Sequence, residues 1–256
     1  MSDVYIFCLS MGSPTLNTRV LTNSMELKVG CCGFPVSMKR YFETFDVVEV
    51  QKTFYKPPEV KTAEKWRKSA PEDFEFTIKA WQVITHPPSS PTYKKAGIKF
   101  ENCGFFRPTE VVFMAWEETK KIAKALKAEI IVFQTPKSFR DTAENMENMR
   151  AFFSSIDGSF TFCFEPRGWS EESVRAICEE LDLVHVVDPF VSKQLYGEIC
   201  YYRLHGFDYK HKYTDDELEK LLGIVDRDGY VMFNNVHMFD DALRFKKLVE
   251  REAKSK

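Results

Sequence analysis

The sequence lacks a repeated CxxC spacing, an apolar run of membrane-spanning length, and an excess of either charge. Its seven cysteines, Cys8, Cys31, Cys32, Cys103, Cys163, Cys178 and Cys200, are odd in number and irregularly spaced. They support neither a disulfide framework nor a zinc ribbon. Cys163, Cys178 and Cys200 sit in apolar segments and read as small buried hydrophobes, which suits a reducing, cytoplasmic setting. No apolar stretch approaches the ~18 residues a membrane helix needs, so no membrane partner is expected. Lys and Arg total 36 against 38 Asp and Glu, a net charge of -2 that removes the electrostatic argument for indiscriminate nucleic-acid binding. Glycine and proline are sparse, at 11 and 12, while phenylalanine reaches 23, which excludes collagenous, low-complexity and disordered classes.

What is present begins after a weakly patterned start. Residues 4–9 are apolar but have no basic residue ahead of them, so the positive leader of a secretory signal is missing. Residues 10–24 are rich in Ser, Thr and Asn and have no periodicity. We expect residues 1–24 to be a tail, disordered or the product of an upstream start, and residues 25–256 to form a single domain.

Within that domain, short β-rich runs alternate with helical patterns. Eight strand candidates occur at 27–31, 47–53, 74–80, 129–135, 160–165, 183–188, 199–205 and 230–234. Helix signals lie between them. Asp141 with Glu144 resembles a capping pair ahead of Met146, Met149, Phe152 and Phe153, and Thr214 with Glu217 has the capping-box pattern. Val174, Ile177, Cys178 and Leu181 recur at i, i+3, i+4 and i+7, and Asp240 and Asp241 favour a helix start before 242–249. Strand then helix, repeated eight times, predicts an α/β chain of (β/α)8 TIM-barrel-like form, with an open doubly wound sheet as the alternative. Two intervals are irregular. Only residues 189–198 separate strands six and seven, near the minimum for a crossover, so no full helix is expected there. After strand three, residues 81–108 make a long excursion at a strand's C-terminal end, where barrels place their sites, and we read it as a lid or substrate wall.

Strand parity sorts the polar residues. Glu49, Gln51 and Thr53 oppose Val48 and Val50; Thr77 and Lys79 oppose Phe74, Phe76 and Ile78; Cys163 and Glu165 oppose Phe162 and Phe164; Tyr201, Arg203 and His205 share a face. Gln134, Asp188 and Asn234 end strands four, six and eight. These residues should face the barrel axis and converge at its mouth or pair inside it. Glu49, Glu165 and Asp188 balance Lys79, Arg167 and Arg203, and only His205 and His86 stand near strand ends, so neither metal nor cofactor is expected.

The balanced set suits a small anionic or polyhydroxylated ligand. Arg203 offers a planar fork, Lys79 a point charge and His205 a proton shuttle, while Glu165 or Glu49 becomes an acid or base if burial raises its pKa. The competing reading is a closed network, Glu49 with Lys79 and Glu165 with Arg203, that plugs the barrel. Two further readings stay open: a Schiff base on Lys79, and a thiolate at Cys31 or Cys32, which lacks an activating base in sequence reach. Phe54, Tyr55, Trp81, Trp169, Phe207, Tyr209 and Tyr213 follow strand ends and serve either as stacking platforms or as packing.

The same strand ends carry a family resemblance. Residues 29–34 (VGCCGF), 48–55 (VEVQKTFY), 76–80 (FTIKA) with Thr85 and His86, 133–136 (FQTP), 164–167 (FEPR), 202–206 (YRLHG) and 230–235 (YVMFNN) together resemble the YecE-like family, domain of unknown function seventy-two. The resemblance spans roughly residues 27–249 and implies a TIM-barrel-like fold. It places the family's polar positions at Glu49, Thr53, Tyr55, Lys79, His86, Gln134, Glu165, Arg167, Arg203, His205 and Asn234. It implies no reaction, and likeness to endonuclease-type barrels is analogy of fold alone. Cys31 and Cys32 stand where small hydroxyl residues are expected, the interval before Trp169 is short, and Val236 replaces an acid.

The leading expectation is a metal-independent hydrolase or lyase acting on a small anionic substrate, phosphorylated or nucleotide-derived. Glu165 is its preferred acid or base, with Glu49 and His205 assisting. Lys79, Arg167 and Arg203 form the anion clamp, and Gln134, Asn234, Thr53, Tyr55 and His86 complete the substrate shell. The alternatives are a single-stranded nucleic-acid-binding module and a divalent-metal-dependent phosphodiesterase-like hydrolase. Partner proteins and oligomeric state are not legible.

Overall fold

The computed structural model describes residues 26–156, 158–208 and 210–255. The expected tail at 1–24, Cys8 and Tyr209 lie outside the described residues. Eight strands form: β1 Leu27–Cys32, β2 Val47–Val50, β3 Glu75–Lys79, β4 Ile130–Gln134, β5 Thr161–Glu165, β6 Val184–His185, β7 Cys200–Leu204 and β8 Gly229–Phe233. All pair in parallel, in the order β6-β5-β4-β3-β2-β1-β8-β7. The sheet's two ends meet at a bridge between Val187 and Tyr202, where the Arg203 N–H donates to Val187 O at 2.9 Å. This contact curls the sheet into a nearly closed (β/α)8 barrel and rules out the open doubly wound form.

The helices are α1 Met38–Phe42, α2 Lys52–Tyr55, α3 Val60–Ser69, α4 Gln82–Thr85, α5 Pro91–Ala96, α6 Glu110–Leu126, α7 Ala143–Ser155, α8 Glu171–Leu181, α9 Asp215–Ile224 and α10 Met238–Ser255. Strand alternation divides the apolar side chains into two shells. Val48, Val50, Phe76, Ile78, Ile131, Phe133 and Phe164 pack outward with the helices, while Val47, Ile130, Val132, Cys163, Val186 and Met232 fill the axis. Burial on both faces explains the unbroken apolar run at 130–133. Among the described residues no helix is long and apolar enough to cross a membrane.

Several local details differ from expectation. β2 stops at Val50, because the chain turns at Gln51 into α2, and Thr53 lies on that short helix instead of a strand. β6 is two residues long; its His185 N–H donates to Tyr196 O at 3.0 Å, so residues 189–198 return alongside it without a helix. The N-cap of α7 is Thr142, whose hydroxyl accepts from Asn145 N. Asp141 is drawn aside by the Ser170 N–H and hydroxyl, at 3.1 and 3.0 Å. Asp240 and Asp241 do stand in the first turn of α10, and Asp241 is in addition fully buried, accepting from Tyr213 N, Asn235 Nδ2 and Arg244. The capping box at Thr214 and Glu217 forms as its pattern indicates.

The excursion after β3 is packed down as a wall. Phe106 is buried against Phe133, Phe139, Phe152 and Phe164, and the Tyr93 hydroxyl donates to His86 O at 2.9 Å. The wall is pinned at Gly104, which has φ +80 and donates to Val83 O at 2.8 Å. A Cβ there would collide with the His86 carbonyl. Gly104→Ala combines a left-handed strain with a backbone clash, and urea unfolding should show a loss of about 2–4 kcal/mol. An unchanged midpoint would show that the wall is not pinned there.

Candidate functional site

The inward-facing polar residues stack along the barrel axis. At the N-terminal end Lys28 hydrogen-bonds Glu75, and the Tyr230 hydroxyl donates to the other Glu75 oxygen at 2.7 Å. Above them the Thr77 and Tyr201 hydroxyls lie 2.8 Å apart. Above these, at the C-terminal mouth, Glu49, Lys79, Gln134, Glu165 and Arg203 converge, all buried.

Arg203 is the centre of this cluster. Only 1% exposed, it points Nη2 at Glu49 Oε1, 3.0 Å away, and hydrogen-bonds Glu165 Oε2 through Nη1. Glu49 also accepts from the Tyr201 hydroxyl at 2.9 Å and from Gln51 Nε2. Glu165 Oε1 accepts from Gln134 Nε2 at 2.8 Å and lies 3.5 Å from Arg167 Nη2. Burial opposes charge on Glu165, yet Arg203, then His205, Arg167 and Lys79, hold its carboxyl down at about 2. It is therefore an acceptor at neutral pH and not an acid.

Of the competing closed network, the Glu165–Arg203 pair forms and the Glu49–Lys79 pair does not, because Arg203 takes both carboxylates. Among the described residues Lys79 Nζ has no hydrogen bond and no ion pair; it sits 3.7 Å from the centre of the Phe54 ring. Burial, followed by the nearby Arg203 charge, lowers its pKa to about 7 against the pull of Glu165 and Glu49. The end of β3 that carries it is held by the Thr53 hydroxyl, 2.6 Å from Lys79 O. Thr53 thus positions the lysine's backbone and offers nothing to a ligand.

The histidines are kept neutral. Burial, with Arg203 next, lowers the His205 pKa; Nδ1 lies 2.9 Å from Arg203 O, which fixes the proton there and leaves Nε2 buried and without a partner. His86 falls to about 3 through burial and then Lys79, with Nδ1 2.8 Å from the Thr85 hydroxyl. Beside the cluster, the loops after β6 and β7 enclose a pocket of about 170 Å³ lined by Asp188, Phe190, Gly206, Phe207, His211 and Tyr213. Asp188 ties it to the mouth by accepting from His205 N at 2.9 Å.

This arrangement lies within a stretch that matches a family model described as "Protein of unknown function DUF72", over residues 35–256. The chain belongs to the DUF72 family. It is 23% identical to the UPF0759 protein YunF of Bacillus subtilis (strain 168) over 252 residues, 83% of this chain and 85% of YunF. Its fold is similar to that of a DUF72 family protein of Enterococcus faecalis V583, with TM-score 0.68 at 18% identity, over 88% of this chain and 98% of that one. It is also similar to a DUF72 family protein of Thermotoga maritima MSB8, with TM-score 0.63 at 20% identity, over 88% and 99%.

Of the DUF72 positions named from sequence, those outside the central cluster lie around it. Tyr55 is half-buried under Lys95, whose Nζ is 4.8 Å from its ring, and Asn234 is half-buried at the end of β8. The neighbouring Asn235 is the engaged one: its Nδ2 donates to His211 O and Asp241 Oδ2, both at 2.7 Å. Gln82, which no pattern singled out, is fully buried and donates to Tyr55 O at 3.0 Å, joining α2 to α4. Trp81, Trp169, Phe54 and Tyr213 are packing residues, whereas Phe207 is 82% exposed. Burial pushes the Cys31 thiol up to about 12 and Cys32 well above the usual range, so neither is a thiolate. Among the described residues no group of three His, Cys, Asp or Glu is placed to hold a metal ion.

Two outcomes follow for this DUF72 protein. Arg203→Met strands Glu49 and Glu165 without their shared cation and should cost about 3–5 kcal/mol by urea unfolding; a loss under about 1 kcal/mol would show that the pairs are not buried. The low Lys79 pKa means that the unfolded chain binds more protons between about 7 and the ordinary lysine value, so Lys79 penalises folding below that window and ceases to do so above it. Lys79→Met should therefore raise Tm more at about pH 6.5 than at about pH 10, and a pH-independent difference would contradict the shift.

Proposed function

We propose that this protein is an enzyme that takes a small anionic substrate at the C-terminal mouth of its barrel, with Lys79 moving the proton and Arg167 drawing the substrate's negative group. The observation that carries this reading is Lys79 itself. It is a buried amine with no acceptor, in a cluster whose carboxylates already share a cation. An unpaired buried ionisable group costs stability, and such groups concentrate where chemistry requires them. An amine that titrates near neutrality suits proton transfer at neutral pH.

The other roles shift accordingly. Arg203 has both terminal nitrogens engaged and serves as scaffold instead of as part of the anion clamp. Glu165, held as a carboxylate, orients Arg203 and Gln134 and passes the acid role to Lys79. Arg167, with its side chain 43% exposed and one contact at 3.5 Å, keeps donors free for a phosphate or carboxylate. An anion bound beside Lys79 favours its charged form, so ligand uptake brings a proton with it.

A thermal-shift screen with inorganic phosphate and small carboxylates tests the reading. At least one anion should raise the wild-type Tm, and the shift should fall by half or more in both Arg167→Met and Lys79→Met while far-UV circular dichroism stays unchanged. Full shifts in both variants, or no anion that moves the wild type, would refute it.

A further inference from the structure

We infer that the Lys79 amine is a covalent nucleophile, forming an imine with a small aldehyde or ketone that also carries a carboxylate or phosphate. This deepens the reading of the mouth as an anion site and rests on it. The geometry restricts what else the amine could do. The acids beside it, Glu49 and Glu165, are engaged by Arg203, Tyr201, Gln51, Gln134 and Arg167, and Lys79 Nζ forms no ion pair with either. One side of Nζ faces Phe54, itself buried and flanked edge-on by His86 at 4.9 Å. That apolar floor keeps water from the carbon that would be joined to Nζ, the condition under which an imine persists.

The backbone beneath Lys79 is fixed from two sides, by the Thr53 hydroxyl on Lys79 O and by the Ala80 N–H on Val132 O at 2.9 Å. The root of the side chain is thereby fixed, and Phe54 bounds the position of Nζ. The low pKa adds to this: near pH 7 about half the amine is neutral, against roughly one part in three thousand for an ordinary lysine. Arg167, at the exposed edge, is placed to hold the anionic end of a bifunctional substrate.

The step balances without an oxidant or reductant. The neutral Nζ lone pair attacks the carbonyl carbon, and the C=O π pair moves to oxygen. One amine hydrogen then moves to that oxygen as a proton; the C–O bond breaks, and the second amine hydrogen leaves with the oxygen as water. A C=N bond remains. A purely electrostatic lysine would bind the same anions and form no bond, and that is the distinction to measure.

The probe is glyoxylate, the smallest aldehyde bearing a carboxylate. The full chain is incubated with glyoxylate at neutral pH, reduced with sodium borohydride and peptide-mapped by mass spectrometry. A carboxymethyl group on Lys79, at roughly tenfold or more the occupancy of any other lysine, is the expected result. The adduct should be absent in Lys79→Met, and also in Lys79→Arg, which keeps a cation but has no such amine. If glyoxylate raises Tm in an Arg167-dependent way and Lys79 stays unmodified, the imine is overturned and the anion site stands. If modification spreads evenly over other lysines, the imine is also overturned. Neither stabilisation nor adduct overturns both.

Discussion

One guanidinium holds two carboxylates apart on the axis of the barrel. Arg203, Glu49 and Glu165 come from β7, β2 and β5, and no water-exposed surface is available to Arg203 or Glu49. Burying three charges is tolerated only where each finds hydrogen bonds enough to replace water. Here the Tyr201 hydroxyl, Gln51, Gln134 and Arg167 complete the two carboxylates, and Thr77 in turn partners Tyr201, while Arg203 Nε is buried without a partner among the described residues. The strands are tied across the barrel by charge as well as around it by backbone hydrogen bonds.

The same triad sets the chemistry of its neighbours. With both acids committed to Arg203, Lys79 has cations beside it and no acceptor of its own, so burial wins over attraction and the amine titrates near neutrality. His205 and His86 stay neutral chiefly because they are buried, with the charges of Arg203 and Lys79 respectively next. The mouth therefore presents one amine and one partly exposed guanidinium, set over a carboxylate that does not protonate. On the proposed reading, this set takes a small ligand that is both anionic and electrophilic.

Much of the fold was legible in the sequence. All eight strands stand where alternation and apolar runs place them, since a strand buried on both faces leaves a recognisable composition. Parity also showed that Glu49, Lys79, Glu165 and Arg203 face one interior. What parity does not carry is position around the barrel, so it could not tell which acid meets which base; Glu49 was paired with Lys79 when the longer reach of Arg203 takes it. The end of β2 was missed because Gln51 to Tyr55 continue the alternation while the backbone has already turned. Asp141 and Thr142 are both good caps, and Ser170, distant in sequence, decided between them. The aromatics after the strands were ambiguous for a similar reason: whether Trp81, Trp169 or Tyr213 is buried depends on the loops packed over it.

The central claim is that burial, with the Arg203 charge beside it and no ion pair of its own, brings the Lys79 amine down to about 7. The direct measurement is an NMR titration of protein labelled with 13C at lysine Cε, with the Lys79 signal assigned by its absence in Lys79→Met. The account predicts a midpoint near 7 for that signal. A Lys79 midpoint above about 10 would contradict it.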